Sequence, residues 1–405
     1  MLLLALLIRG GVLLARFDHL AADPDGYRAL AHNVIKNGVL GSGQKPSAYR
    51  PPLYPLLLAA CSASPWKSET AIGVLHLALG VATILLTVDL GRRWGLGHFA
   101  YLAGALVACD PILLNQSTLV MTETLATFLA VTSLWCTTAT AEATGRRRIA
   151  FAAATGMSFA IAALCRPTFL VSLLFIAAGL GRALPRGRER WRTLAAMCIA
   201  ASIGLLPWAA RNWVQFGKPV VTTTHGGYTL LLGNNPAYYD FLETSPWRAV
   251  WNANQLDEEL RAARGGDEVA NDRDEYVRAW QTIRQLPTTF FYASLHRIAA
   301  LWGVLPHQVS ANESTGSRYG RYAIAVWYLA VFGLALAALG TSAAQVTRPP
   351  WLWAALLAAS FTAVHLVYWT DMRMRAPLTP AISLLAAAGV RRLADRRRAL
   401  QHTVM

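Results

Sequence analysis

Charged side chains are scarce in this 405-residue sequence. They make up 15% of it, against about 25% in a typical soluble domain. Apolar and aromatic residues (AVILMFWYC) make up 55%. A soluble chain of this composition would lack the polar side chains needed to cover its core, so the sequence excludes an array of soluble domains. It indicates a protein that folds in a lipid bilayer.

Cysteine is also scarce: five residues, none in a Cys-x-x-Cys pair. An odd number of scattered cysteines argues against a disulfide framework and against a structural zinc site, so we predict free thiols. The sequence also lacks a nucleotide-binding loop, a Gly-x-Ser-x-Gly, a His-Glu-x-x-His and a Rossmann fingerprint. Enzyme classes that depend on these motifs are therefore disfavoured.

What the sequence does contain is a series of uncharged apolar runs. A bilayer core of about 30 Å needs about 20 helical residues, so most of these runs predict membrane spans. The first run, 2–15, is short and contains Arg9, and we interpret it as a retained span rather than a signal peptide. The sequence thus predicts an all-α polytopic membrane domain over 1–405, with ten spans at 2–15, 71–91, 98–114, 118–140, 148–165, 167–182, 192–212, 322–341, 349–369 and 376–390.

Arginine clusters set the orientation. The net charge of +15 is concentrated in short Arg-rich tracts beside the apolar runs, which is the positive-inside pattern and does not indicate nucleic-acid binding. The pattern predicts an inner-membrane protein whose loops 16–70 and 213–321 face the external, periplasmic side. The apolar stretch 288–304 contains Arg297, and counting parity favours an interfacial helix there over a further span. The cytoplasmic segments are then 91–97, 142–148, 182–192 and the tail.

Several polar residues fall on the predicted external side. In the first loop, Asp23 and Asp25 precede a helical stretch, where Asp23 is either a helix N-cap or a base. Arg50 precedes Pro51 and Pro52 at the membrane boundary, where it either binds a phosphate or snorkels to the interface. Glu123 begins a span, and Arg373 and Arg375 oppose the positive-inside trend. Arg211, His225 and Asn234 lie in or beside turn-rich motifs.

These motifs resemble those of the GT-C superfamily of polyprenyl-phosphate-sugar-dependent glycosyltransferases. The resemblance favours the bacterial branch related to protein O-mannosyltransferases and lipid A aminoarabinose transferases, and it runs from the first span to the last. Two departures are Pro24, where many relatives have a second acid, and Met374, where the family motif has Tyr. The matching positions are Asp23, Tyr27, Ala31, Gly38, 51–55, 207–212, 216–217, 226–227, 233–236, Arg373, Arg375 and Pro377.

The resemblance implies an inverting glycosyltransferase. It would move a sugar from a polyprenyl-phosphate donor to an envelope glycan, lipid or protein on the external face. Asp23 would be the general base, accompanied by the acids Asp25 and Glu123. Arg50 and Arg375 would meet at the donor phosphate, with Arg373 and Arg211 as further candidates. The substrate-binding residues would be Tyr27, Tyr54, His225 and Asn234.

Two alternatives stay open at this point. One is a secondary transporter or a lipid-linked glycan flippase, although ionisable residues are sparse in mid-span positions and no inverted repeat is visible. The other is a glycan ligase or polymerase with the same fold. We expect no obligatory metal cofactor, but Asp23 with Glu123 would be able to hold a divalent cation.

Overall fold

The computed structural model describes residues 1–247, 249–308, 312–339 and 346–404. Within these residues the structure is helical, apart from one antiparallel pair of two-residue strands in the first loop, β1 (Gly41–Ser42) and β2 (Lys45–Pro46). The predicted all-α class therefore agrees with the structure.

In the part of the chain that the structure describes, four helices are long and apolar enough to cross a membrane, and a bent pair makes a possible fifth. They are α4 (Ser68–Arg93), α7 (Glu123–Glu142), α10 (Arg188–Phe216) and α16 (Thr315–Leu339), with Gly97–Cys109 and Pro111–Ser117 as the pair. The remaining predicted spans overlap shorter or more polar helices, namely α1 (Leu2–Ala15), α8 (Gly145–Ala163), α9 (Thr168–Ala183), α17 (Trp351–His365) and α18 (Thr379–Val404). The count of ten crossings stays a prediction. Residues 340 and 341 of the span 322–341 lie outside the described residues.

Helix α7 lies at the centre of the bundle, with most of its side chains buried. Glycines allow the helices of two other pairs to approach closely. A Cβ at Gly156 of α8 would overlap with the carbonyl of Met197 in α10, and one at Gly389 of α18 would overlap with that of Leu334 in α16. Small residues at such contacts are typical of membrane helix packing.

The predicted span 98–114 is bent by 50° between α5 (Ala100–Cys109) and α6 (Pro111–Ser117). Pro111 suits the first position of α6. A backbone N–H at that position would have no hydrogen-bond partner within the helix, so the N–H that proline lacks is not needed there. Asp110 caps the same helix, accepting a hydrogen bond from the Leu113 amide at 3.0 Å. Arg9 of α1 donates to the Val107 carbonyl at 2.8 Å. The charged side chain in the first apolar helix therefore binds the backbone next to this bend.

The two predicted external loops are largely helical. The first contains α2 (Tyr27–Asn37) and α3 (Leu53–Ser62). The second contains α11 (Gly226–Gly233), α12 (Pro236–Thr244), α13 (Asn254–Ala263), α14 (Glu268–Gln285) and α15 (Pro287–Leu301).

Helix α15 coincides with the stretch for which an interfacial helix was predicted. Its Arg297 is 1% exposed and donates to the carbonyls of Leu366 and Gly233, whereas Phe291 and Leu295 are exposed. The charge thus points into the protein and the apolar face points outward. This polarity suits a helix at the membrane surface.

Candidate active site

A cavity of about 660 Å³ lies where the first loop, the α8–α9 turn, the segment around α11 and the α17–α18 junction meet. Known small-molecule sites span about 300–1,000 Å³, so its size suits a substrate. Five arginines and two aspartates line it: Arg50, Arg166, Arg261, Arg264, Arg373, Asp25 and Asp257. The cavity therefore has the charge of a site for anions.

Of the two candidate aspartates of the first loop, Asp25 lines the cavity, whereas Asp23 binds backbone amides at the start of α2, whose N-cap residue is Gly26. The Asp23 carboxylate accepts hydrogen bonds from the backbone amides of Arg28 (3.1 Å) and Ala29 (3.0 Å), in the first turn of α2. Asp25 Oδ1 lies 3.5 Å from Nη2 of Arg50. Both oxygens of Asp23 are engaged by the backbone, whereas Asp25 is accessible from the cavity. These contacts favour Asp25 over the expected Asp23 for the role of base, and that role is taken up below as a proposal.

Arg50 is held by two aromatic rings. Its guanidinium carbon lies 5.4 Å from the ring centroid of Tyr27 and 5.7 Å from that of Tyr49, within the range of cation–π contacts. Burial raises the pKa of Tyr27 to about 12, although Arg50 acts in the opposite direction. Tyr27 therefore stays a neutral phenol in the cavity wall. The structure thus brings the predicted residues Asp25, Tyr27 and Arg50 together.

Glu123 lies just behind the cavity wall, fully buried at the start of α7. Its Oε1 lies 2.7 Å from Nη2 of Arg166 and 3.7 Å from Nη1 of Arg373, and both arginines line the cavity. Burial lowers the pKa of Arg373, but the carboxylates of Asp371, Glu123 and Asp25 raise it overall. Glu123 therefore holds two cations side by side at the cavity.

Arg166 is not among the site residues expected from the sequence. A signal was present, because Arg166 interrupts two apolar runs at Cys165-Arg166-Pro167, and topology places this turn on the same side as the first loop. The position directly before the apolar stretch of α9 made Arg166 resemble an ordinary helix-boundary residue. Its carboxylate partner lies 43 residues earlier, and a pairing at that distance has no local pattern.

Arg375 and Arg211 do not line the cavity. Arg375 is 1% exposed, donates to the carbonyls of Leu301 and Gly303, and lies over the ring of Tyr328. Arg211 donates to the backbone carbonyls of residues 40 and 47 and thereby fastens the first loop. Arg50 and Arg375 were expected to meet at one anion, but the structure does not bring them together in the cavity. Arg373 shares the cavity with Arg50, because the two-residue offset along the 3₁₀ segment Met372–Leu378 turns Arg375 into the bundle.

Tyr54 and Asn234 lie behind the wall. The Tyr54 hydroxyl is hydrogen-bonded to Nε2 of His76 at 2.9 Å, and its ring packs edge-on against Tyr27, with centroids 5.2 Å apart. Asn234 donates to the carbonyls of Leu230 and Val367. Tyr54 thus supports a residue that lines the cavity, and Asn234 joins α11 to the segment after α17. Neither of these expected substrate-binding residues lines the cavity itself.

His225 does line the cavity, between two tyrosines. Its ring centroid lies 4.3 Å from that of Tyr49 and 5.1 Å from that of Tyr228. Burial lowers its pKa to about 3, and the charges of Arg50 and Arg264 act in the same direction. His225 is therefore a neutral imidazole at physiological pH and contributes aromatic surface and hydrogen bonding to the site.

Gly226 and Gly227 allow α11 to pack closely on α14. A Cβ at Gly227 would overlap with the backbone carbonyl of Asp272, and one at Gly226 would overlap with the Tyr276 hydroxyl. The Gly227 amide donates to Asp272 Oδ1 at 2.7 Å. Burial raises the pKa of Asp272 to about 6. These contacts show that the Gly-Gly pair accommodates a neighbouring helix.

A metal site built from three or more His, Cys, Asp or Glu side chains is not found among the residues that the structure describes. The acids near the cavity instead bind arginine, backbone amides or, for Asp257, the Tyr228 hydroxyl. The polar chemistry offered to a ligand is therefore mainly that of guanidinium groups, phenols and the Asp25 carboxylate.

No protein-family profile matches the sequence, and no curated protein matches it. Solved structures do share its fold. The oligosaccharyltransferase AglB from Archaeoglobus fulgidus, solved with an inhibitory peptide and a dolichol-phosphate, superposes with a TM-score of 0.58 at 16% identity over 99% of this chain. A crystal structure of the oligosaccharyltransferase from the same organism, tethered to an acceptor peptide, gives a TM-score of 0.57 at 16% identity over 100% of the chain.

The chain spans about half the length of these oligosaccharyltransferases, 51% and 50% respectively. ArnT from Cupriavidus metallidurans, bound to undecaprenyl phosphate, matches at a TM-score of 0.42 and 14% identity over 97% of this chain and 78% of its own. The likeness to the two oligosaccharyltransferase structures shows a shared fold.

Proposed function

We propose that this chain is a membrane glycosyltransferase that transfers a sugar from a polyprenyl-phosphate donor to an acceptor on the external face, with inversion at the anomeric carbon. The observation that carries the proposal is the juxtaposition in one cavity of a carboxylate, Asp25, with the guanidinium groups of Arg50, Arg166 and Arg373. The fold supports it, because AglB was solved with dolichol-phosphate.

Asp25 is the proposed general base. It takes the proton of an acceptor hydroxyl or amine while that oxygen or nitrogen attacks the anomeric carbon. The new glycosidic bond forms as the bond between the anomeric carbon and the phosphate oxygen breaks, so a single displacement inverts the configuration. A well-placed general base contributes about 10²–10⁴-fold to the rate.

The three arginines stabilise the leaving phosphate, which takes the electron pair of the broken bond. Guanidinium groups suit this task because they stay charged and present paired N–H donors to phosphate oxygens. Glu123 is a positioning residue in this scheme, since it contacts Arg166 and Arg373 and does not line the cavity. Electrostatic groups of this kind are each worth about 10²–10³-fold in rate.

The proposal is tested with purified protein in proteoliposomes that contain radiolabelled polyprenyl-phosphate sugars and an extract of envelope acceptors. We expect label to appear in a new glycosidic bond, and we expect Asp25→Asn to abolish this product. Movement of label across the bilayer without a new bond would instead identify a transporter or flippase and overturn the proposal.

A further inference from the structure

The cavity holds a second group of cations, separate from the three arginines assigned to the donor. Arg261 and Arg264 come from the last turn and the C-terminus of α13, in the second external loop. Arg264 lies over the rings of Tyr49 and Tyr228, at 5.7 and 5.5 Å from their centroids. Tyr49 is therefore in contact with Arg50 of the first group and with Arg264 of the second.

The donor phosphate does not require this second group. Asp25, Arg50, Arg166 and Arg373 form one electrostatic unit, since the Asp25 carboxylate contacts Arg50 and also contributes to the raised pKa of Arg373. These three guanidinium groups present enough N–H donors for the two free oxygens of a single phosphate diester. The cations on α13 are therefore available for another anion.

The contacts of α13 keep both cations available. Glu275, which is 3% exposed, lies 2.7 Å from Nη2 of Arg264 and fixes the guanidinium from one side. Arg261 is exposed, and within the described ranges no carboxylate lies within ion-pair distance of it. The nearby Asp257 instead accepts a hydrogen bond from the Tyr228 hydroxyl at 2.8 Å.

Aromatic side chains line the cavity next to these cations. The Tyr276 and Tyr368 hydroxyls lie 3.3 Å apart, and Tyr228 and Trp369 line the same cavity. Pyranose rings present apolar C–H faces that stack on aromatic rings, and tyrosine hydroxyls offer hydrogen bonds to sugar hydroxyls. This part of the cavity has the chemistry of a carbohydrate site with a fixed positive charge.

We infer that the acceptor is an acidic glycan, whose carboxylate or phosphate is bound by Arg261 and Arg264 and whose sugar ring packs against Tyr228 and its neighbours. The assignment of this subsite to the acceptor rests on the proposed function. The binding of an acidic sugar there can be measured independently of transfer.

The experiment measures binding of two matched probe pairs to the protein in nanodiscs by saturation-transfer NMR. The first pair is a glucuronic-acid-containing disaccharide and its carboxyl-reduced neutral counterpart. The second pair is a disaccharide 6-phosphate and the same disaccharide without phosphate, so that the two arms distinguish carboxylate from phosphate. Hydrogen bonds to charged groups contribute about 1.5–3 kcal/mol. We therefore expect at least one acidic probe to bind about tenfold or more tightly than its neutral partner.

Three variants assign the effect to the subsite. Arg261→Gln changes an exposed side chain and is expected to reduce the preference for the acidic probe while the fold is retained. Glu275→Gln frees the Arg264 guanidinium from its carboxylate and is expected to increase that preference, an effect that simple structural damage would not produce. Arg273→Gln, an exposed arginine of α14 that does not line the cavity, is the matched control and is expected to change nothing.

Equal binding of the acidic and neutral probes, or equal losses in Arg261→Gln and Arg273→Gln, would overturn the inference. Binding of undecaprenyl phosphate is measured on the same samples and depends on the first group of arginines. A protein that binds acidic sugars and not undecaprenyl phosphate would contradict the proposed donor and leave the subsite in place. The reverse result would remove only the subsite.

Discussion

The fully buried carboxylate of Glu123 lies 2.7 Å from the guanidinium of Arg166, which faces the cavity. The same oxygen lies 3.7 Å from Arg373. A carboxylate buried at the start of an apolar helix is costly unless it is paired. The contact between Glu123 and Arg166 provides this pairing. Glu123 also holds Arg166 and Arg373 at the proposed phosphate site.

Glu123→Gln should destabilise the ligand-free protein by about 3–5 kcal/mol, because the change leaves a buried charge without its partner. Undecaprenyl phosphate should stabilise the variant more than it stabilises the unmodified protein, since the phosphate replaces the missing negative charge. Thermal unfolding in nanodiscs with and without the lipid measures both effects. Glu142→Gln, in the exposed pair with Arg93 at the other end of α7, is the control and should have little effect. An equal ligand-induced shift in both variants would argue against the assigned role.

Asp25→Asn should lower transfer by about 10²-fold or more, because an amide cannot accept the acceptor proton. Asp23→Asn should keep most of the activity, since Asp23 binds backbone amides and does not line the cavity. The amide replaces one of its two acceptor oxygens, so the unfolding temperature should fall. The measurement is initial transfer rate in proteoliposomes, with folding checked by thermal unfolding. Full activity of Asp25→Asn together with loss in Asp23→Asn would restore Asp23 as the base.

Arg166→Ala should weaken undecaprenyl phosphate binding by about 10-fold or more, and Arg166→Lys should recover only part of it because the planar fork of donors is lost. Arg375→Gln is the contrasting variant. Its side chain contacts carbonyls and aromatic rings away from the cavity, so it should lower the unfolding temperature and leave lipid affinity unchanged. Titration of the lipid into each variant decides between the two arginines.

His225 should make stability depend on pH. Burial lowers its pKa in the folded protein to about 3, from an ordinary value of 6.5. Between these values the unfolded chain binds more protons, so this stabilisation is complete above pH 6.5 and is lost as pH falls towards 3. His225→Gln should therefore reduce the rise of stability with pH in this window, by up to about 1.4 kcal/mol per pH unit. Denaturant unfolding from pH 4 to 7 measures the difference. The raised pKa of Asp272 changes stability with pH in the opposite direction. This contribution is present in both the unmodified protein and His225→Gln, so it cancels in the comparison.

Gly227→Ala should be clearly more destabilising than Gly226→Ala. The added methyl at 227 meets backbone of α14, which cannot move without shifting the helix, and overpacking of this kind costs about 1–3 kcal/mol. At 226 it meets only the end of the Tyr276 side chain, which can rotate. Thermal unfolding compares the stability of the two variants. Equal losses of stability would show that the backbone of α14 shifts as easily as the Tyr276 side chain.

The sequence predicted the fold well because apolar runs and arginine tracts are local signals. Within the described residues, nine of the ten predicted spans each overlap one α-helix, and the span 98–114 is divided between α5 and α6. The outward apolar face of α15 suits the interfacial position that stays a prediction for 288–304. The break at Asp110 was not predicted, because Pro111 was treated as part of an uninterrupted span. A proline at the first position of a new helix and a proline within a helix look alike in a single sequence.

The site was predictable in outline and less so in its details. Motif and predicted topology grouped Asp25, Tyr27, Arg50 and Arg373, and these residues line one cavity. The external location of that cavity stays a prediction. Which of two nearby aspartates or arginines faces the cavity depends on the direction of a side chain within one turn, and that is set by tertiary contacts. Arg166, and the cations of α13, become part of the site only through contacts with distant segments.

The order in which the residues at the cavity occur along the chain has a consequence for the synthesis and membrane insertion of the protein. Glu123 enters the bilayer before Arg166, its partner 43 residues later, and Arg373 follows only with the last helices. A nascent chain must therefore keep a carboxylate beside the translocation machinery, or keep it protonated, until α8 and α9 arrive. Chains arrested before the α17–α18 junction would contain one of the two guanidinium groups that meet this carboxylate. Quality-control proteases that recognise charged groups exposed to lipid would have a physical basis for distinguishing such chains from completed ones.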